Sequence, residues 1–225
     1  MKKSFSASLP YDSHLDELPI QQVSNRLEET GSRLSVESLN WPQEFPYRPL
    51  TVVTAAHSAD YIYIDFFVRC NYLRAMNYTP NSPVCEDSCV EFFVAPNADK
   101  DEYWNFEFNC IGTVMAEHHP SAPVAGEEWN GTKLPPEDLA KIKVYASVGT
   151  RPFQEVEGSF IWNVVVGIPL ELLGVSYEGT PLKMRANFNK CAMATSQPHY
   201  LSWAPIRTAA PDFHRPDFFA PLTLE

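Results

Sequence analysis

From Leu50 onward the chain alternates apolar and polar residues with a period of two, the spacing of a strand that buries one face. In YIYIDFFVRC (61–70), Ile62, Ile64, Phe66, Val68 and Cys70 share one side. Tyr61, Tyr63, Asp65, Phe67 and Arg69 share the other. TVVTAAH (51–57) precedes this run, and the intervening SAD predicts a hairpin turn. SCVEFFVAP (88–96) sets Val90, Phe92 and Val94 against Cys89, Glu91 and Phe93, with Asp87 in phase with the second group. EYWNFEFNCIG (102–112) sets Trp104, Phe106, Phe108 and Cys110 against Tyr103, Asn105, Glu107 and Asn109. KVYASVGT (143–150) and SFIWNVVVGI (159–168) predict two more strands. KMRANFNKCA (183–192) places Met184, Ala186 and Phe188 opposite Arg185, Asn187 and Asn189.

The segments between strands carry turn and loop signals. SNRLEETG predicts one short helical stretch, and NWPQEFPYRP an extended segment whose Trp41 or Phe45 anchors the N-terminal arm on the body. Residues 119–140 read as a long loop with a short helix at PEDLA. PLELLG reads as one helical turn that stops at Gly174. A proline-rich tail closes on a last short strand. About ten short strands with turns between them, and no alternation of helix with strand, predict an all-β fold. The architecture is a two-sheet antiparallel β-sandwich, jelly-roll-like, with long proline-rich loops. Residues 1–34 form an arm and residues 35–225 the sandwich domain.

Length and composition agree with one folded domain: 225 residues, 44% hydrophobic, with 20 prolines against 9 glycines. Net charge is −11 with no basic run, which excludes a nucleic-acid partner and disfavours anionic membranes. MKK at the N-terminus is followed by no apolar run, so the expected location is cytoplasmic as given, or secreted if the N-terminus has been processed. The five cysteines are scattered in odd number, unlike a secreted disulfide framework. Cys85 and Cys89 stand at C-x3-C spacing without a second Cys or His pair at metal-site spacing. They read as reduced thiols, with zinc the alternative. The pattern fixes no oligomeric state.

The chemistry that the pattern carries lies on the polar sides of three strands: Asp87 and Glu91; Asn105, Glu107 and Asn109; Arg185, Asn187 and Asn189. A solvated sheet face is the ordinary reason for such residues. Asn, however, is a poor strand former, and lysines are few here. Planar carboxylates, carboxamides and a guanidinium satisfy adjacent sugar hydroxyls in pairs, and aromatic rings stack on the C–H faces of sugars.

The runs VCEDSCVEFFVAP, YWNFEFNCIGT, NFNKCA, HYLSWAPI and DFHRPDFF resemble the family 9 carbohydrate-binding modules, and among them a standalone, DOMON-like bacterial branch. The resemblance spans residues 35–225. It implies a β-sandwich that binds the ends of sugar chains, with two tryptophans clamping the sugar and an Arg, a Glu and an Asn bonding it. Glu91 falls at the acidic position of the motif, Asn109 after the aromatic strand, and Asn187 and Arg185 supply further contacts. Trp203 offers one stacking face. The second tryptophan's place is held by Val84 and Cys85, and Trp129 from the long loop is the substitute. The resemblance implies no cofactor, although some relatives hold structural calcium, and it implies no catalytic residue. Expected ligand contacts are therefore Asp87, Glu91, Asn109, Arg185, Asn187, Trp203 and Trp129.

Two alternatives stand beside this reading. Glu91 and Glu107 are candidates for the carboxylate pair of a glycoside hydrolase, and a sandwich that has lost its sugar serves as an interaction module. His118 and His119 read as a surface loop, since neighbours on a strand point to opposite faces. His214 reads as structural, bonding a backbone carbonyl. Arg215 is a partner for Asp212, Asp217 or Asp87. No G-x-S-x-G elbow, P-loop or G-x-G-x-x-G motif occurs.

Overall fold

The computed structural model describes residues 5–124 and 128–225. Along them run strands β1 (Ala7–Leu9), β2 (Ser32–Ser35), β3 (Ser38–Leu39), β4 (Leu50–His57), β5 (Tyr61–Ala75), β6 (Cys89–Ala95) and β7 (Tyr103–Asn109). They continue as β8 (Val114–His119), β9 (Thr132–Lys133), β10 (Lys143–Ala146), β11 (Phe153–Pro169), β12 (Leu182–Ala192), β13 (His199–Ser202) and β14 (Ala220–Leu224). Two α-helices join them, α1 (Ile20–Thr30) and α2 (Pro136–Leu139).

The strands form two sheets. The first runs β10-β11-β5-β4-β2, and the second runs β1-β14-β12-β6-β7-β8-β9, with β13 and β3 continuing from β12. Pairing between these strands is antiparallel except for β1, which lies parallel to β14. The apolar sides read from the sequence meet between the sheets. Ile62, Ile64, Phe66, Trp162 and Val164 from the first pack against Val90, Phe92, Phe106, Phe108 and Phe188 from the second. Phe92 and Phe188 stack with centroids 4.9 Å apart. The fold is the two-sheet sandwich that the alternation predicts.

The N-terminal segment departs from an arm. β1 extends one edge of the larger sheet and β2 forms an edge of the smaller one. SNRLEETG, expected as a short helical stretch, is the end of an eleven-residue helix. The helix forms because Val23 and Leu27 recur at helical spacing, and tertiary packing stabilises it. These side chains, with Leu15, cover Ala56, Tyr63 and Val165 on the outer face of the smaller sheet. The side of β5 that reads as open is therefore sealed: Ser24 donates to Asp65, and Asn163 donates to it at 3.2 Å. Asp12 ties the helix down by accepting from Arg26 at 2.6 Å and Thr30 at 3.0 Å.

Other loops match expectation. Gly174 ends the helical turn at 170–173 with φ of 67°, a conformation open to glycine at little cost. Trp41 does anchor its segment: its indole N–H donates to the Thr208 carbonyl at 2.9 Å. His118 and His119 are corrected, because they lie on β8 rather than in a loop, and His119 is buried.

Leu27 is fully buried under α1, so Leu27→Ala is expected to lower stability by about 2–5 kcal/mol. Urea unfolding followed by circular dichroism and by tryptophan fluorescence should give one coincident, shifted transition. Two separated transitions would show that the helix is not part of the cooperative unit.

Candidate functional site

The outer face of the larger sheet is organised in rungs. Register places Cys191, Cys89 and Asn109 across β12, β6 and β7. The next rung is Asn189, Glu91, Glu107 and, on β8, Met115. The third is Asn187, Phe93, Asn105 and Glu117. Opposed residues of adjacent strands have Cβ atoms about 4.5–5.5 Å apart, so each rung is a row of touching side chains.

The tail after β13 folds over these rungs. Phe213, Phe219 and Ile206 pack on Phe93, Cys89, Tyr103 and Trp41. Between tail and sheet a cleft of about 200 Å³ remains. Its floor is Glu91, Glu107, Cys85, Cys191 and Phe93, and its walls are Tyr200, Phe213, His214, Asp212, Pro211 and Met193. Aromatic contacts brace the walls: Tyr200 lies 4.8 Å from Phe45 and 6.0 Å from Trp41.

The floor is a buried acidic pair. Glu91 is 2% exposed and Glu107 4%. Glu91 accepts from the Cys191 thiol at 2.9 Å and the Asn189 amide at 3.4 Å. Glu107 accepts from Asn105 at 3.1 Å through Oε1, while Oε2 has no partner. Burial pushes the Glu91 carboxyl up to about 7, against the pull of Cys191, Asn189 and Lys190. Burial, and then the charge of Glu91, push Glu107 well above the carboxylate range. At neutral pH the pair therefore retains a proton. Lys190, the cation that bears on Glu91, projects from the other side of β12, where its ammonium lies 5.8 Å from the Trp162 ring.

Beside the floor runs a second chain of polar contacts. His119 faces Asn105 at 3.0 Å and Asn130 at 3.2 Å, and stacks on Tyr103 at 4.4 Å. The Tyr103 hydroxyl meets His214 Nδ1 at 2.9 Å. Burial, with His119 nearby, pulls His214 down to about 3, so it is neutral. Trp129 stands edge-on to His214 at 4.7 Å and is 54% exposed.

The structure thus sorts the residues expected to touch ligand. Glu91 lies in the cleft, and Trp129 stands at its rim against His214. The others hold the fold. Asp87 pairs with Arg74 and accepts from the backbone N–H of Met76 at 2.9 Å and of Asn77 at 2.8 Å. Asn109 donates to Asp87 and to the Asn77 carbonyl and accepts from Thr113, locking the turn before β8. Asn187 grips both polar groups of the Ala204 backbone, at 3.0 and 2.9 Å. Arg185 donates to the carbonyls of Ala98, Pro216 and Lys100. Trp203 is 5% exposed and packs on Phe188 and Phe5 between the sheets, so it offers no stacking face. Arg215 pairs with Asp217, not with Asp87. His214 bonds a tyrosine rather than a carbonyl.

The sequence reading missed Tyr200, Phe213, Asp212 and Cys191 as cleft residues. Tyr200 and the D-F-H run stood within the motifs, but only the fold of the tail brings them over β6. Among the described residues, one trio of His, Cys, Asp and Glu side chains converges closely enough for an ion: Cys89, Glu91 and Cys191. Two sulfurs and one carboxylate do not suit calcium, which takes six to eight oxygens.

Two outcomes test this sorting. Asp87→Ala should cost about 3–5 kcal/mol in urea unfolding, because Arg74 loses its buried counter-charge. Glu91 has a folded-state pKa above its unfolded value, so its contribution is complete below pH 4.5 and is lost as pH rises through about 7. Wild type should therefore lose more stability than Glu91→Gln between pH 5 and 8, and parallel curves would contradict the raised pKa.

Among curated proteins, none matches the chain. Solved structures do. A Bacteroides uniformis ATCC 8492 protein whose proposed role is carbohydrate binding is 30% identical, with TM-score 0.89, over 99% of this chain and 100% of that one. A carbohydrate binding module family 9 from Caldicellulosiruptor kristjanssonii in complex with glucose shares the fold at TM-score 0.59 and 11% identity, over 98% of this chain and 96% of that one. The same organism's module in complex with cellotriose gives TM-score 0.58 and 12% identity, over 98% and 94%. The model of carbohydrate-binding family 9 matches residues 21–224, and with the rungs, the cleft and these neighbours in view, the chain belongs to that family.

Proposed function

We propose that this chain is a non-catalytic carbohydrate-binding module that takes the end of a mono- or oligosaccharide into the cleft between β6, β7, β12 and the tail. The observation that carries the reading is the Glu107 Oε2 atom, buried at the cleft floor without a donor. A buried acceptor left unpaired costs about 1–3 kcal/mol, and a sugar hydroxyl supplies the missing hydrogen. Glu91 beside it accepts or donates, since the pair retains a proton. Neutral His214 and Asp212 on the wall extend the polar set. Tyr200 and Phe213 provide the aromatic surface that a pyranose C–H face stacks on, with Trp129 outside them. The site therefore uses a tyrosine and a phenylalanine where the resemblance led us to expect tryptophans. Structural neighbours in complex with glucose and cellotriose support a glucan-type ligand, and the small cleft suits one ring better than an extended chain.

The direct opposition of Glu91 and Glu107 favours a second reading, glycoside hydrolysis, which also uses two nearby carboxyls with separated protonation. Turnover of chromogenic glycosides, abolished in Glu91→Gln, would establish it over simple binding.

Calorimetric titration with glucose, xylose, cellobiose, cellotriose and xylobiose is expected to give saturable binding to at least one. Glu107→Ala should weaken that binding about ten- to hundredfold, the loss of one buried hydrogen bond to the sugar. Silence across the panel with folded protein would overturn the proposal.

A further inference from the structure

The cleft floor carries more acid than a sugar requires. Cys89 and Glu91 stand two residues apart on one side of β6, and Cys191 faces Cys89 across the ladder with β12. One donor atom from each lies within 4.8 Å of the other two. All three side chains are buried. The acceptors around them outnumber the donors. Glu107 Oε2 and Asn189 Oδ1 are both buried and both unpartnered, and they flank Glu91 on either side of its rung. Native interiors rarely leave two such atoms together. A bound cation, with a water on it, removes the deficit: the ion neutralises the acids and its water donates outward.

We propose that Cys89, Glu91 and Cys191 bind one thiophilic divalent cation of the zinc type, leaving its fourth position open towards the cleft. The donor set selects the metal: thiolates favour zinc over calcium or magnesium. Zn–S bonds of about 2.3 Å put two tetrahedral sulfurs roughly 3.8 Å apart, within reach of side-chain rotation from the present spread. The ion enters through the cleft, whose floor Cys191 and Glu91 line from their buried positions. Before sugar binds, a water in the fourth position donates to the orphaned acceptors Glu107 Oε2 and Asn189 Oδ1; the sugar hydroxyl that bonds Glu107 Oε2 in the carbohydrate reading displaces this water. Without metal the thiols hold their protons, because burial pushes Cys89 up to about 12 and Cys191 well above its ordinary value. Metal binding releases those protons to solvent, one from each sulfur, so affinity rises with pH. Cys70 and Cys110 belong to the layer between the sheets and take no part.

The test is cobalt(II) titration of the reduced, chelator-stripped full chain. Expected is one equivalent bound, with a thiolate-to-cobalt charge-transfer band that zinc bleaches. The band should vanish in Cys191→Ser and Cys89→Ser and persist in Cys70→Ala. Saturating zinc should raise Tm by roughly 5–10 °C at a hundredfold excess over Kd. If the cysteine variants do not fold, Glu91→Gln should weaken cobalt binding at least tenfold. No charge-transfer band in folded wild type, or a band unchanged in Cys191→Ser or Glu91→Gln, would overturn the site. Sugar titration repeated in chelator reports the carbohydrate reading separately, so either proposal can fail alone.

Discussion

The register of three strands, β12, β6 and β7, governs the outer face of the larger sheet. It sets Asn189, Glu91 and Glu107 in one row. Alternation along a strand leaves these side chains no other direction, and their neighbours Val90, Phe92, Phe106 and Phe188 are committed to the core between the sheets. A slip of one residue would exchange the two sets and expose the aromatic core. The acidic row is thus held in place by the packing on its reverse side, and the tail then takes it out of water.

Covering a pair of carboxyls is costly. Each is pushed towards its neutral form by burial, and Glu107 also by the charge of Glu91. Among the described residues no cation is paired with Glu91 or Glu107, and Lys190 works on Glu91 from behind the sheet. Asp87 makes the contrast plain: it is equally buried, yet it is met by Arg74, two backbone N–H groups and an amide. Asp87 is a satisfied structural acid, whereas Glu107 is left with an open valence facing a cleft. An unsatisfied buried acceptor beside an open cleft is the feature on which the carbohydrate reading rests.

The walls come from distant parts of the chain. Trp41 and Phe45 brace Tyr200 and Phe213 from the N-terminal half, and Asn187 and Arg185 hold the tail by its backbone. Those two residues serve the cleft without touching it. Their polar side chains fix the path of residues 204–216, and so the position of Phe213 and His214 relative to the floor.

Alternation from Leu50 onward made the two-sheet sandwich legible, because a period of two with aromatic cores admits few other folds. It also placed Glu91, Glu107, Asn109, Asn187 and Asn189 correctly on one face. What it could not tell was which of them stay open. Asn109 and Asn187 are consumed by turns and by the tail, since a strand asparagine bonds whichever backbone lies nearest, and that depends on loops whose paths have no periodicity. Trp203 looked like a stacking surface but follows β13 into the inter-sheet layer, and α1 outgrew its short helical signal because the smaller sheet supplied a face to cover. Sequence by itself determined which side of each strand a residue occupies, a local property of the extended backbone. Only the tertiary structure decided which of those sides meets water, a neighbouring loop or a cleft, because that rests on contacts between segments far apart in the chain, such as Cys191 with Glu91, a hundred residues away.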